Sequence, residues 1–187
     1  MGQNFSDVCR TLAEYHCPRY EELPHIALYK DQVVSVLNEA VGPFYPQGET
    51  PVTATMVNNY VKMKLLAPPE KKKYSTGQIA YLYVIFLLKQ VLSIGEIAAL
   101  LRMQQRKYEA PYAYGRFCEE LEAALRAAFA PQGAQEAAAA SLPPEAELLR
   151  AAVRSFAYKV YAVKALETHA SCTPAEPAGE PEATPQA

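Results

Sequence analysis

The sequence predicts an all-α fold, and three observations carry that expectation. Apolar residues recur at three- and four-residue steps along most of the chain, Pro and Gly gather between those runs, and hardly any stretch alternates with the two-residue period of a strand. Half of the residues are apolar, so a sizeable core can be buried in one domain with extensions or in two small ones.

Each helix has its own signature. Phe5, Val8, Leu12 and Tyr15 form a first amphipathic stripe, closed by Cys17-Pro18. A second helix runs from Leu28 or Tyr29 to Val41 with Val33, Leu37, Ala40 and Val41 inward, and Gly42-Pro43 ends it. The segment GPFYPQGETPV, residues 42 to 52, is too rich in Pro and Gly for anything but a loop. A third helix, residues 53 to 66, is capped by Thr53 or Thr55 and turns Val57, Tyr60, Val61 and Leu65 inward. Ser75 or Thr76 caps a long helix to about Leu92, and Ser93 caps a shorter one bearing Ile94, Ile97, Ala98, Leu100 and Leu101. Two more, Tyr112 to Phe129 and Pro144 to about Thr168, flank the low-complexity linker APQGAQEAAAASLP. The last residues are rich in Pro, Ala and Glu and are expected to be disordered.

The third helix and the turn after it have the order of a DNA-reading helix followed by a small wing. Asn58, Asn59 and Lys62 remain outward, Lys64 follows, and Pro68-Pro69 stops the helix before Lys71, Lys72, Lys73 and Tyr74; with Thr55 at the helix start these are the candidate DNA contacts. Lysines neutralise phosphates, and an Asn amide can pair bidentately with adenine in the major groove. The net charge of -2 says little. Its distribution says more: from Thr53 to Ala110 the cations Lys62, Lys64, Lys71, Lys72, Lys73, Lys89, Arg102, Arg106 and Lys107 face only Glu70, Glu96 and Glu109, whereas both flanks are acidic. A basic middle suits an anionic partner.

Other functions find little support. MGQNFSDVCRTL has no apolar run behind positive charge, so no secretory leader is expected, and Ile79 to Leu88 is too short to cross a bilayer. A cytoplasmic protein with no membrane contact is the expectation. Cys9, Cys17, Cys118 and Cys172 form no CxxC pair, and Cys9, His16 and Cys17 lack a fourth ligand, so neither a disulfide framework nor a metal is expected. His16, His25 and His169 have no nucleophile motif nearby, and no Gly-rich phosphate loop or HExxH occurs. The protein therefore reads as a non-enzyme that needs no cofactor.

The stretch VNNYVKMKLLAPPEKKKYS, followed by an apolar helix and VLSIGEIAALL, resembles the MerR-type winged helix-turn-helix. Tyr60, Leu65, Leu66, Pro68, Pro69, Tyr74, Ser75, Ser93, Ile94, Glu96 and Ile97 match its pattern. Asn58 stands where that family usually has an Arg, Lys64 replaces the usual Gly before the Leu pair, the wing is shorter, and the loop between the two helices of the motif is unusually long. From about Pro18 to Met103 the chain more closely resembles an uncharacterised bacterial family, domain of unknown function 1836, in the phrases PRYEELP, LYKDQVV, MVNNYVKMKLL, PPEKKKYS and IAYLYVIFLLKQVLSIGEI. These resemblances imply a MerR-like helix-turn-helix domain with a short wing over residues 21 to 107, an N-terminal helix in 1 to 20, C-terminal helices in 108 to 169 and a tail from 170 to 187.

The expected function is a DNA-binding transcriptional regulator that reads sequence with helix 53–66 and meets phosphates with the 67–74 lysine turn. An effector is allowed for, its identity unknown. The alternative is a protein-binding adaptor on the same scaffold. A homodimer is expected because one such domain offers one recognition helix. Leu149, Val153, Phe156, Val160 and Val163 step by four, three, four and three and form the candidate dimer seam, although the same stripe fits packing against Tyr114, Phe117, Leu121, Leu125 and Ala128 within one chain. Those aromatics, with Tyr108 and Tyr112, also suit a ligand pocket.

Overall fold

The computed structural model describes residues 4–46, 48–129 and 142–172. They form seven helices and one two-stranded sheet: α1 (Phe5–Ala13), β1 (Leu28–Tyr29), α2 (Lys30–Val41), α3 (Ala54–Lys62), β2 (Lys73–Tyr74), α4 (Thr76–Leu88), α5 (Ile94–Gln105), α6 (Ala110–Phe129) and α7 (Pro144–Cys172). The protein is thus mostly helical. No helix among the described residues is long and apolar enough to cross a membrane.

Helix α4 is the axis of the core. Every residue from Leu82 to Leu88 is buried, as are Ile79 and Ala80, so this helix has no solvent face and other elements must surround it. Helices α2, α6 and α7 pack directly on it. Its start is set by a reciprocal cap, in which Ser75 Oγ accepts from the Gln78 amide while Gln78 Oε1 accepts from the Ser75 amide. Ser93 and Glu96 repeat the device at α5.

The loop between α2 and α3 is long but held. Asn38 on α2 donates Nδ2–H to the Val52 carbonyl at 2.9 Å and accepts the Val52 amide on Oδ1 at 3.0 Å, so one side chain closes the connection. Within the loop, Gly42–Phe44 makes a 3-10 turn instead of irregular chain. Phe44 and Tyr45 then enter the core, where Phe44 meets Tyr15 and Phe156 edge-on and Tyr45 Oη donates to the Phe86 carbonyl at 2.6 Å. Burying two aromatics anchors a segment that composition alone makes look loose.

Several expectations need correction. Leu28 and Tyr29 do not start α2; they pair antiparallel with Tyr74 and Lys73, and Tyr29 is the N-cap. The third helix ends at Lys62 rather than 66, α4 ends at Leu88 rather than near Leu92, and α7 continues to Cys172. The linker 130–141 and the tail from 173 lie outside the described residues.

The expected dimer seam is also internal. Leu149, Val153, Phe156 and Val160 are buried within one chain and Val163 is half-buried, with α7 packed on α6, α5, α4 and α1. The stripe finds its apolar partners on the helices of its own chain, and Phe156 meets the Phe44 ring at 5.3 Å. Tyr114, Phe117, Leu121 and Leu125 on α6 are likewise buried, with Ala128 half-buried.

Candidate nucleic-acid interface

The surface begins with the cap of α3. Thr53 Oγ1 accepts from the Met56 amide at 3.3 Å and fixes the helix phase. Val57 and Tyr60 then face inward, Tyr60 meeting the Phe86 ring at 5.4 Å, so the opposite side must face solvent. Thr55, Asn58, Asn59 and Lys62 are all exposed there, spaced three, four and seven residues from Thr55 and so aligned on one face.

The end of α3 is more unusual. The Lys64 amide donates to the Val61 carbonyl at 3.0 Å and the Leu65 amide to the Tyr60 carbonyl at 3.0 Å, which is the double bond of a Schellman ending. Such an ending requires a left-handed residue at its first position past the cap, normally glycine. Here that residue is Lys64, with φ 57°. Leu66 is buried beyond it, and exposed Met63 sits beside it at the C-cap.

The wing is equally compressed. The Lys73 amide donates to the Glu70 carbonyl at 2.8 Å, and the two residues between them, Lys71 and Lys72, have φ 48° and 65°. Two left-handed central residues are the mark of a type I′ hairpin turn, a place where Asn-Gly is the low-strain choice. Lys73 and Tyr74 then return along β1, while Gln78 Nε2 donates to the Ala67 carbonyl at 2.8 Å and ties the wing's base to α4. Among the described residues, the non-glycine positions with positive φ are Lys64, Lys71 and Lys72.

These cations are also unneutralised. Lys62, Lys64, Lys71 and Lys72 have no ion-pair partner among the described residues, whereas Arg19, Lys107, Arg116 and Arg150 are each held by a carboxylate. Lys73 is set apart from them: half-buried, it places Nζ 4.9 Å from the centroid of the exposed Tyr29 ring. Tyr74 needs a correction of its own. Its side chain is 2 % exposed because its strand position turns it inward opposite Leu28, and the ring has no face to offer a nucleic acid.

A family model matches the chain over residues 18–117, more than half its length, under the description Domain of unknown function (DUF1836). The chain belongs to that family. The matched DUF1836 segment runs from Pro18, ahead of β1, through the surface just described and into α6 as far as Phe117. Neither the curated proteins nor the solved structures provide a match.

Sequence reasoning overlooked Asn38, whose partner is a backbone group reached only through the fold, and assigned no surface role to Tyr29 and Met63, both exposed here. Elsewhere Tyr114, Phe117, Leu100, Leu101 and Gln104 line an apolar cleft among α4, α5 and α6, together with Leu149 of α7. Among the described residues no group of acidic, His or Cys side chains is arranged to hold a metal ion.

Proposed function

We propose that this protein is a DNA-binding transcriptional regulator built on a MerR-like winged helix-turn-helix, with α2 and α3 as the two helices, α3 as the reader and the Lys71-Lys72 turn as the wing. The observation that carries this reading is the set of three lysines held in the left-handed region. Backbone strain at non-glycine residues costs on the order of 1 kcal/mol each and persists where a side chain is needed at that place. Lysine adds nothing to a turn that glycine or asparagine would not do better. Its value there is a charge projected from a fixed point, which is what a phosphate backbone rewards.

The outward row of Thr55, Asn58, Asn59 and Lys62 supports the same reading. Amides flanked by cations suit base edges read between phosphate contacts. One α3 per chain covers one half-site, so specific binding would use two copies on the DNA, joined through a surface other than the buried α7 seam.

The test is selection of bound fragments from a random duplex library by the purified full chain at low salt, followed by sedimentation of the complex. Enrichment of a two-part site with two chains per duplex is the expected outcome. Failure to retain any duplex at low salt overturns the proposal. On an enriched site, Asn58→Ala or Asn59→Ala is expected to cost about 1–3 kcal/mol at one base position and to leave random-sequence binding nearly intact.

A further inference from the structure

Away from the DUF1836 surface, the segment between α1 and β1 lies as a strap over α6, and its fastening is chemical. Cys17 and Cys118, 101 residues apart, are both fully buried free thiols, and the Cys17 thiol donates to Cys118 Sγ at 3.0 Å. Glu122 holds the strap in place, accepting the Cys17 amide on Oε1 at 2.9 Å and the Arg19 guanidinium on Oε2 at 2.8 Å. Around the sulfurs stand the hydroxyls of Tyr15 and Tyr83, 2.6 Å apart, and of Tyr114. Two donors here are conspicuous: Arg19 Nη1 and Tyr114 Oη are buried without an oxygen or nitrogen partner, and both are directed at the Cys118 sulfur.

We propose that Cys17 and Cys118 are a redox modification site, a dithiol that a small hydroperoxide closes to an intramolecular disulfide. A purely structural pair of buried thiols would need no cation beside it, since a thiol is nearly as apolar as the rest of a core. The orphan donors make sense once Cys118 carries negative charge. The Cys17 hydrogen bond, followed by Arg19, holds the Cys118 thiol below its ordinary value, while that same bond and burial push Cys17 up. Because the Arg19 guanidinium and the Tyr114 hydroxyl are both directed at Cys118, it is the attacking sulfur and Cys17 the resolving one.

The chemistry balances. The Cys118 thiolate attacks one peroxide oxygen, the O–O bond breaks, and the departing hydroxide takes a proton to become water; Cys118 is now a sulfenic acid. Cys17 then attacks that sulfur, the S–O bond breaks, and hydroxide leaves with the Cys17 proton as a second water. Two thiols and one peroxide give one disulfide and two waters, the sulfurs losing the two electrons that the peroxide gains. Hydrogen peroxide is close to water in size, so a small opening of the strap admits it. The bond fixes the strap to α6, and through residues 18 to 27 it tethers the chain that enters β1 beside the wing.

The experiment uses the full chain with Cys9→Ser and Cys172→Ser, leaving these two thiols. After treatment with hydrogen peroxide under native conditions, intact mass should fall by two hydrogens, both sulfurs should resist alkylation, digestion should yield one peptide joining Cys17 to Cys118, and dithiothreitol should restore the starting mass. Closing a loop of this length should also raise Tm by roughly 10 °C or more. With Cys17→Ser added, a dimedone adduct should collect on Cys118; with Cys118→Ser added, none should form on Cys17. Oxygen added to either sulfur without a crosslink overturns the proposal. A disulfide that appears only in urea, joins two chains or lowers Tm overturns it equally, because the bond would then belong to something other than this folded pair.

Discussion

Lys64, Lys71 and Lys72 pose a conflict between stability and charge that can be measured one residue at a time. Glycine relieves left-handed strain but gives the unfolded chain more freedom, so Lys64→Gly should change stability by no more than about 1 kcal/mol and in the favourable direction, as should Lys72→Gly. Urea unfolding midpoints would show this. If the strain exists for the sake of the charge, the same variants should bind duplex DNA more weakly; stabilised variants that bind as well as the parent would detach these lysines from the interface. Sequence pattern made Lys64 legible as an exception to glycine, but not the reason it is tolerable, which lies in the paired amide bonds to Tyr60 and Val61. Tyr74 was illegible in the opposite sense. A two-residue strand has too little pattern to show which of its side chains faces in.

Helices were legible and strands were not, for a physical reason: a nine-residue helix repeats its apolar period often enough to be read, whereas β1 and β2 exist through each other. The α7 stripe illustrates a further limit, since periodicity says that a face is buried and not against what. Phe156, fully buried against Phe44, tests its assignment as internal packing. Phe156→Ala should cost about 3–5 kcal/mol in urea unfolding and leave the sedimentation behaviour of the folded fraction unchanged. A variant of native stability that shifts oligomeric state would return the seam to a dimer interface. The start of α7 adds a pH dependence. Glu145 is held below the ordinary carboxylate value, first by Lys107 and also by its own backbone amide and by Tyr108. Its folded value is depressed, so its contribution is complete above the unfolded carboxylate pKa and is lost as pH falls through the folded one. Glu145→Gln should therefore narrow the drop in unfolding midpoint between neutral and strongly acidic solution; an unchanged drop would mean the ion pair adds nothing to stability.

At the scale of the molecule four cations crowd one short stretch: Lys62, Lys64, Lys71 and Lys72, from α3 to the wing, face solvent without a carboxylate partner among the described residues, as Arg102, Arg106 and Arg126 do singly elsewhere, whereas Arg19, Lys107, Arg116 and Arg150 are held in ion pairs. Total charge concealed this, and position along the chain disclosed it before any fold was known. The fold refines the count. Lys62, Lys64, Lys71 and Lys72 are free to meet phosphates, whereas Lys73 is occupied with Tyr29. Each phosphate neutralised on B-DNA contributes about −0.9 to the slope of log affinity against log salt, so four contacts per chain predict a slope of about −3.6 for a single chain on random duplex. Lys71→Ala with Lys72→Ala should flatten it by about half, to roughly −1.8, and weaken binding on every sequence alike. Lys73→Ala should leave the slope nearly where it was and act instead on stability, through the lost contact with Tyr29. These two variants separate a docked wing from a diffuse basic field: if all lysines acted only through overall charge, removing Lys73 would move the slope as far as removing either neighbour. Equal effects from Lys71, Lys72 and Lys73 taken singly would therefore sink the geometric assignment of the wing while leaving DNA binding itself intact, and a slope near zero for the parent would sink both.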